Sequence, residues 1–165
     1  MNRFAFTPDA YGAAISALFV PERLPELGPG VPNLPVKAAL QAIDVTPACR
    51  AGLWLLHDFF DVSHAISQEL ETQDGSFWHA ILHRREPDPS NSKYWWRLVG
   101  KHPVLHQLRE QAPSLGYVYT TPEAFVDECE RVRATGTEAE MTARRVQLLE
   151  WQLLFHHCYR VCLSK

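Results

Sequence analysis

The 165-residue chain lacks several familiar sequence signals, and each absence excludes a class of protein. No apolar run approaches the ~18 residues of a membrane-spanning helix. Acidic residues outnumber basic residues by 19 to 16, so the total charge does not favour nucleic acid as a partner. The four cysteines form no C-x-x-C pair, which argues against a disulfide framework.

The beginning of the chain also lacks the basic start, apolar run and small-residue cleavage site of a secretion signal. Together with the scattered cysteines, which we expect to be reduced, this predicts a cytoplasmic protein. The length favours a single domain over residues 1–165. An apolar share of 46% is ordinary for a globular protein, so the domain needs no unusual means of stabilisation.

The chain does contain clear helix-start signals. Thr-Pro occurs at 7–8, 46–47 and 121–122, where threonine can cap a helix and proline tolerates the first helical position. Thr137 and Glu140 have the spacing of a capping box. With the apolar periodicity, these signals predict helices over 8–20, 35–44, 47–72, 76–86, 90–99, 103–111, 122–134 and 138–162. The predicted fold is an all-α helical bundle framed by two long helices, 47–72 and 138–162, with additional short helices.

Two segments do not follow the helical pattern. Residues 21–34 are rich in proline and glycine and predict an irregular loop. The loop could wrap the body through Leu24, Leu27, Val31 and Leu34, or it could be a plain linker. Residues 117–121 form one short strand-like run.

Eight histidines are a high number for this length, and several share helix faces. In the helix predicted over 47–72, one face carries five polar residues: His57, Asp61, His64, Gln68 and Glu71. In the next helix His79, His83 and Glu86 form a second polar stripe. Because the connection between the helices is short, they should be antiparallel neighbours, which could bring His64 near the second stripe.

Imidazole and carboxylate groups in this pattern suit a metal site or acid–base chemistry. We predict His64, His79 and His83 as ligands of a divalent ion such as Zn, Ni or Fe. The same pattern makes His79, His83 and Glu86 candidate catalytic groups, and Glu86 or Asp61 could orient a ligand imidazole. The alternative is structural: a polar stripe opposite an apolar face is typical of a solvent-facing surface, and buried histidines often bond to carboxylates.

Basic and aromatic residues follow the second stripe. Arg84, Arg85 and Lys93 could lie at the mouth of the site and bind a small anionic ligand. An alternative from a different class is a non-catalytic protein-interaction module without metal, with the consecutive aromatic residues 94–96 (Tyr94, Trp95 and Trp96) as anchors. Trp95 could equally pack into the core.

The stretch FWHAILHRREPDPSNSKYWWRLVGKHP, residues 77–103, resembles a family of uncharacterised bacterial and fungal proteins. They share W-H-A-x-x-H-R-R-E, then N-x-K-Y-W and V-G-x-H-P. The matching positions are Trp78, His79, His83, Arg84, Arg85, Glu86, Asn91, Lys93, Tyr94, Trp95, Gly100, His102 and Pro103. The resemblance implies membership in that family and no particular activity.

The chain is also similar, at the level of the fold, to metal-binding helical bundles of the DinB type, which carry a W-H-x-x-x-H-like element. That resemblance implies a helical bundle with a histidine metal site. This chain departs from the DinB-type pattern in its extra loop and short helices. Its last helix offers a third metal ligand only if His156 or His157 fills that role. A likeness of folds does not assign a function.

Overall fold

A computed structural model describes residues 4–163, and the prediction of an all-α fold is confirmed over that range. The α-helices are α1 (Ala13–Ser16), α2 (Lys37–Ala42), α3 (Pro47–Leu56), α4 (Phe60–Gln68), α5 (Gln73–Arg85), α6 (Pro89–Val99), α7 (Pro103–Gln111), α8 (Pro122–Val132) and α9 (Glu138–Leu163). Short 3₁₀ turns cover Pro8–Tyr11, Ala17–Phe19, Leu34–Val36 and Ala112–Leu115. None of the described residues forms a strand, including the run 117–121. No helix in this range is long and apolar enough to cross a membrane.

Most of the expected helix starts have their caps. The hydroxyl oxygen of Thr46 accepts a hydrogen bond from the Cys49 amide at 3.4 Å, and that of Thr121 accepts one from Ala124 at 3.1 Å. Thr7 makes no such bond, and only short helical turns follow it. A capped start therefore coincides with a long helix, whereas the 8–20 segment has neither.

The long helix predicted over 47–72 is wrong, because the chain breaks between α3 and α4. Asp58 adopts a left-handed backbone conformation with φ of 64°, which ends a right-handed helix. Its carboxylate is held on both sides, by Arg23 at 2.7 Å and Arg85 at 2.6 Å. The His57 carbonyl accepts from the Asn33 amide at 3.0 Å instead of continuing the helical ladder. These tertiary bonds outweigh the local helical pattern.

Helix α5 lies in the interior, where it packs against α3, α4 and α6. Eleven of its thirteen residues are buried, so its histidines are interior groups and not part of a solvent face. Its neighbour α4 differs, since its only buried residues are Ser63 and Ser67. Ser63 donates to the Ala51 carbonyl at 2.8 Å and fixes α4 against α3. The long helix α9 packs against α3, α7 and α8.

The segment 21–34 is an ordered loop held to the body by hydrogen bonds to its backbone carbonyls. Arg144 donates to the carbonyls of residues 24 and 25, and Arg85 donates to those of residues 26 and 28. Leu27 is buried as expected, but Val31 and Leu34 are 84% and 67% exposed. Hydrogen bonds to its main chain, together with the buried Leu27, therefore hold the loop to the body. Val31 and Leu34 do not serve as the apolar anchors that were predicted.

Candidate functional site

Three histidines from two helices meet on one side of α5. His79 and His83 lie one turn apart on α5, and His64 faces them from α4. One ligand nitrogen from each ring lies within 4.8 Å of the other two. An ion held tetrahedrally at ~2.0–2.1 Å from each nitrogen would bring them about 3.3–3.4 Å apart. Side-chain movements of about an ångström would therefore complete a three-imidazole site.

The three rings are arranged so that their nitrogens can converge. The planes of His79 and His83 differ by 22°, with ring centroids 4.7 Å apart. His64 meets both edge-on, at interplanar angles of 74° to His79 and 85° to His83. The two rings of α5 are thus near-parallel to each other, and the ring from α4 is close to perpendicular to both.

Glu86 fixes the orientation of His83. The Nδ1 atom of His83 lies 2.8 Å from the Glu86 carboxylate at the end of α5, so Nδ1 carries the hydrogen and Nε2 the lone pair. Burial lowers the pKa of His83, although the Glu86 carboxylate opposes the shift. A carboxylate behind one ring nitrogen, with the other nitrogen available, is the usual support of a metal-ligating histidine.

His79 has no polar support of this kind. Its Nδ1 is buried without a hydrogen-bond partner among the described residues. Burial, together with the neighbouring His83 and His64, lowers the pKa of His79 to about 3. The ring is therefore neutral at physiological pH, which is the form that binds metal. A neutral imidazole nitrogen that has no protein partner can serve as a ligand atom.

Helix α6 covers this ring pair. The indole of Trp95 stacks on His79 with centroids 3.9 Å apart and an interplanar angle of 11°. The side-chain amide of Asn91 lies 3.2 Å from Nε2 of His83 and 3.4 Å from its Nδ1. In the sequence Asn91 stood out only as a position of the N-x-K-Y-W match, and Trp95 was predicted either in the core or on a binding surface.

Other members of the first polar stripe lie elsewhere. His57 is buried at the end of α3, where its Nδ1 lies 3.1 Å from the side-chain amide nitrogen of Asn33. Asp61 and Glu71 are exposed and make no hydrogen bond or ion pair with the three histidines in the described part of the chain. Of the two carboxylates expected to orient a histidine, Glu86 contacts one of the three and Asp61 does not.

The expected basic mouth of the site is not present. Arg84 is fully buried on another side of α5, where it makes two hydrogen bonds to Glu150 at 2.5 and 3.2 Å. Burial alone would lower the pKa of Arg84, but the Glu150 carboxylate outweighs it and raises the pKa. Arg85 is held by Asp58, and Lys93 pairs with Asp127 at 2.5 Å. Arg84 and Arg85 are buried against these partners and lie away from the expected mouth, whereas the binding of a small anionic ligand, with Lys93 partly exposed, stays a prediction.

The three aromatic residues of α6 also separate. Trp96 is 2% exposed and packs in the core against Phe77. Trp95 covers His79, and only Tyr94 is substantially exposed, at 48%. A continuous aromatic surface for a partner protein is therefore not formed by these residues.

A second group of titratable residues lies at the other end of α5. Asp74 accepts from Nε2 of His102 at 2.9 Å, and Nε2 of His157 from α9 lies 3.4 Å from the same oxygen. Burial would raise the pKa of Asp74, but the two imidazoles outweigh it and bring the pKa well below its usual range. The three ligand atoms again lie within 4.8 Å of one another.

The second group differs in the state of its rings. Nδ1 of His102 accepts a hydrogen bond from the Val104 amide at 3.3 Å and caps α7. Nε2 must then carry the hydrogen that is donated to Asp74, so neither nitrogen of His102 offers a free lone pair. The sequence did not reveal this group, since its members come from three separated segments with no shared periodicity.

Comparisons with models of known protein families, with curated proteins and with solved structures find no match for this chain. The geometry of the two groups is therefore what bears on function. Both could hold a metal ion by the positions of their ligand atoms. The group of His64, His79 and His83 also has a buried ring nitrogen, Nδ1 of His79, without a hydrogen-bond partner among the described residues, and the group of Asp74 has no such atom.

Proposed function

We propose that the protein binds one divalent transition-metal ion through His64, His79 and His83. The observation that carries the proposal is the convergence of these rings from α4 and α5, with the buried Nδ1 of His79 unpartnered. A set of three imidazoles suits Zn, Ni or Fe, and it excludes the oxygen-rich environment that Mg and Ca prefer.

A three-histidine set leaves a fourth position for water or a small ligand, which is the arrangement of catalytic zinc sites and not of structural ones. Glu86 accepts the Nδ1 hydrogen of His83, as a carboxylate does for a ligating histidine in many such sites. Metal chemistry at this position is therefore the function that we propose, with His79, His83 and Glu86 as the groups nearest to it.

We also propose that the stretch 77–103 places the chain in the family of bacterial and fungal proteins that it resembles, and that the DinB-type likeness extends to a histidine metal site. In this chain the third imidazole would come from α4, since His156 and His157 lie outside the group. The free cysteines Cys49, Cys129, Cys158 and Cys162 support the proposal of a cytoplasmic protein.

The test is a metal titration of protein purified without a metal-affinity step and stripped with a chelator. Competition against a chromophoric chelator should give binding of one Zn²⁺ per chain, and His79→Ala and His83→Ala should each weaken it at least a hundredfold. His106→Ala is the matched control, because His106 is 74% exposed on α7 and makes only a long contact with Glu110. Absence of near-stoichiometric binding, or equal binding by the His83→Ala protein, would reject the proposal.

A further inference from the structure

The face of α6 that covers the three-histidine group carries a second pair of residues with helical spacing. Asn91 and Trp95 are four residues apart on α6, as His79 and His83 are on α5. Residues at this spacing lie one above the other on a helix face. Each member of the α6 pair lies against one imidazole of the α5 pair, Trp95 on His79 and Asn91 on His83.

The contact between Asn91 and His83 is made through the face of the ring. The amide nitrogen is nearly equidistant from Nε2 and Nδ1, at 3.2 and 3.4 Å, although these atoms lie on opposite sides of Cε1. A donor directed along the Nε2 lone pair would be clearly closer to Nε2. The amide therefore lies over the ring, and it leaves the in-plane lone pair of Nε2 available.

The contact of Trp95 has the same character. Its indole lies parallel to the His79 ring at 3.9 Å, so it covers a face and leaves the nitrogen edges open. His79 and His83 both turn one face towards α6, and their planes differ by only 22°. The two rings are thus near-parallel, with centroids 4.7 Å apart, and each has one residue of α6 against it.

We infer that Asn91 and Trp95 are positioning residues of the metal site; this inference rests on the proposed function. They hold the two α5 imidazoles in the near-parallel orientation from which both can reach the same ion. A metal-bound imidazole carries positive charge, and the electron-rich face of an indole stabilises a cation stacked on it. Trp95 therefore supports the loaded site electrostatically as well as by shape.

Two substitutions distinguish this role of Trp95 from that of an ordinary packing residue. Trp95→Phe keeps an aromatic face, whereas Trp95→Leu fills part of the space without one. Zn²⁺ affinity should remain within about threefold in Trp95→Phe and fall about tenfold in Trp95→Leu and in Asn91→Ala, the scale typical of groups that support ligands. Leu98→Ala is the control, since Leu98 is 48% exposed on the same helix.

A fluorescence measurement tests the placement independently of affinity. Ni²⁺ bound to the three histidines should quench the Trp95 indole, so the quenched fraction of total emission should fall in Trp95→Phe while Ni²⁺ affinity is kept. This readout also decides the matter if Trp95→Leu fails to fold, as judged by circular dichroism.

The outcomes are distinct. A wild-type protein that binds no ion overturns the proposed function and the inference with it. If the wild type binds, but Trp95→Leu and Asn91→Ala bind equally tightly, the inference alone is overturned. It is also overturned if Trp95→Phe leaves the Ni²⁺ quenching unchanged.

Discussion

The two titratable groups on α5 contain similar residues and differ in what their nitrogens do. The group of His64, His79 and His83 includes a buried ring nitrogen, Nδ1 of His79, without a partner among the described residues. In the group of Asp74, His102 and His157, the ring nitrogens of His102 are occupied by a carboxylate and a backbone amide. The ligand atoms lie within 4.8 Å of one another in both groups, so hydrogen-bond occupancy is the property on which we propose that the first binds metal and the second does not.

The largest expected effect concerns the group of Asp74, His102 and His157. Asp74→Ala removes the acceptor shared by two imidazoles that connect α5 to α7 and α9, and we expect a loss of about 3 kcal/mol in the free energy of unfolding. Urea denaturation followed by circular dichroism measures it. Zn²⁺ affinity should not change, and a Zn²⁺ site that disappears with Asp74 would show that the metal had been assigned to the wrong group.

The next effect concerns the group of His64, His79 and His83, which we propose binds metal. At a free Zn²⁺ concentration one hundred times the dissociation constant, binding to the folded state alone should add about 2.7 kcal/mol of stability. Thermal melts should show this gain in the wild type and in His157→Ala, and no gain in His83→Ala. Equal gains in all three proteins would remove the distinction between the two groups.

A buried histidine outside both groups sharpens the comparison through pH. Burial, with the nearby Arg23, lowers the pKa of His57 from 6.5 to about 4. The unfolded chain therefore binds a proton that the folded one excludes, and stability falls as pH drops from 6.5 towards 4. His57→Asn should remove about 1–2 kcal/mol of the loss seen between pH 6.5 and 5 in chelator-treated protein.

Asp74 should behave differently in the same experiment. Its pKa is lowered in the folded state from a usual value of 3.8, so its stabilising effect is present above that pH and is lost only below it. Asp74→Asn should leave the slope between pH 6.5 and 5 unchanged. A change of slope in that window would contradict this assignment of the pH dependence.

The smallest effect is that of the supporting carboxylate. Glu86→Ala removes the acceptor of the His83 Nδ1 hydrogen, and we expect Zn²⁺ affinity to fall about tenfold, which corresponds to ~1.4 kcal/mol. Its side chain is 35% exposed, so water can partly replace it. Glu110→Ala, at an exposed glutamate beside His106, provides the control. An unchanged affinity in Glu86→Ala would remove Glu86 from the site.

The sequence predicted most of the fold because its signals were local. Threonine caps such as Thr46 and Thr121, and apolar periodicity, belong to one segment each, and they placed most helix starts correctly. The break at Asp58 depends on Arg23 and Arg85, which are 35 and 27 residues away. A pattern confined to one window cannot contain bonds of that range, and the predicted long helix was wrong for this reason.

The candidate site shows the same division. His64, His79 and His83 were grouped correctly, because a four-residue spacing and a short connection are visible in the sequence. Arg84 and Arg85 were misplaced, because a cation next to a histidine in sequence can point to another side of a buried helix. The partners that decide their positions, Glu150 and Asp58, lie on other elements.

The shallow anchoring of α4 bears on how fast an ion would come and go. The α5 histidines lie in a helix buried on nearly every side, whereas α4 has only Ser63 and Ser67 fully buried, and its Phe60 and Ile66 pack against the core from partly exposed positions. We therefore expect exchange to follow the detachment of α4, since local opening occurs where few buried contacts are lost. The residence time of a bound ion would then depend on a protein motion as well as on the strength of three coordinate bonds.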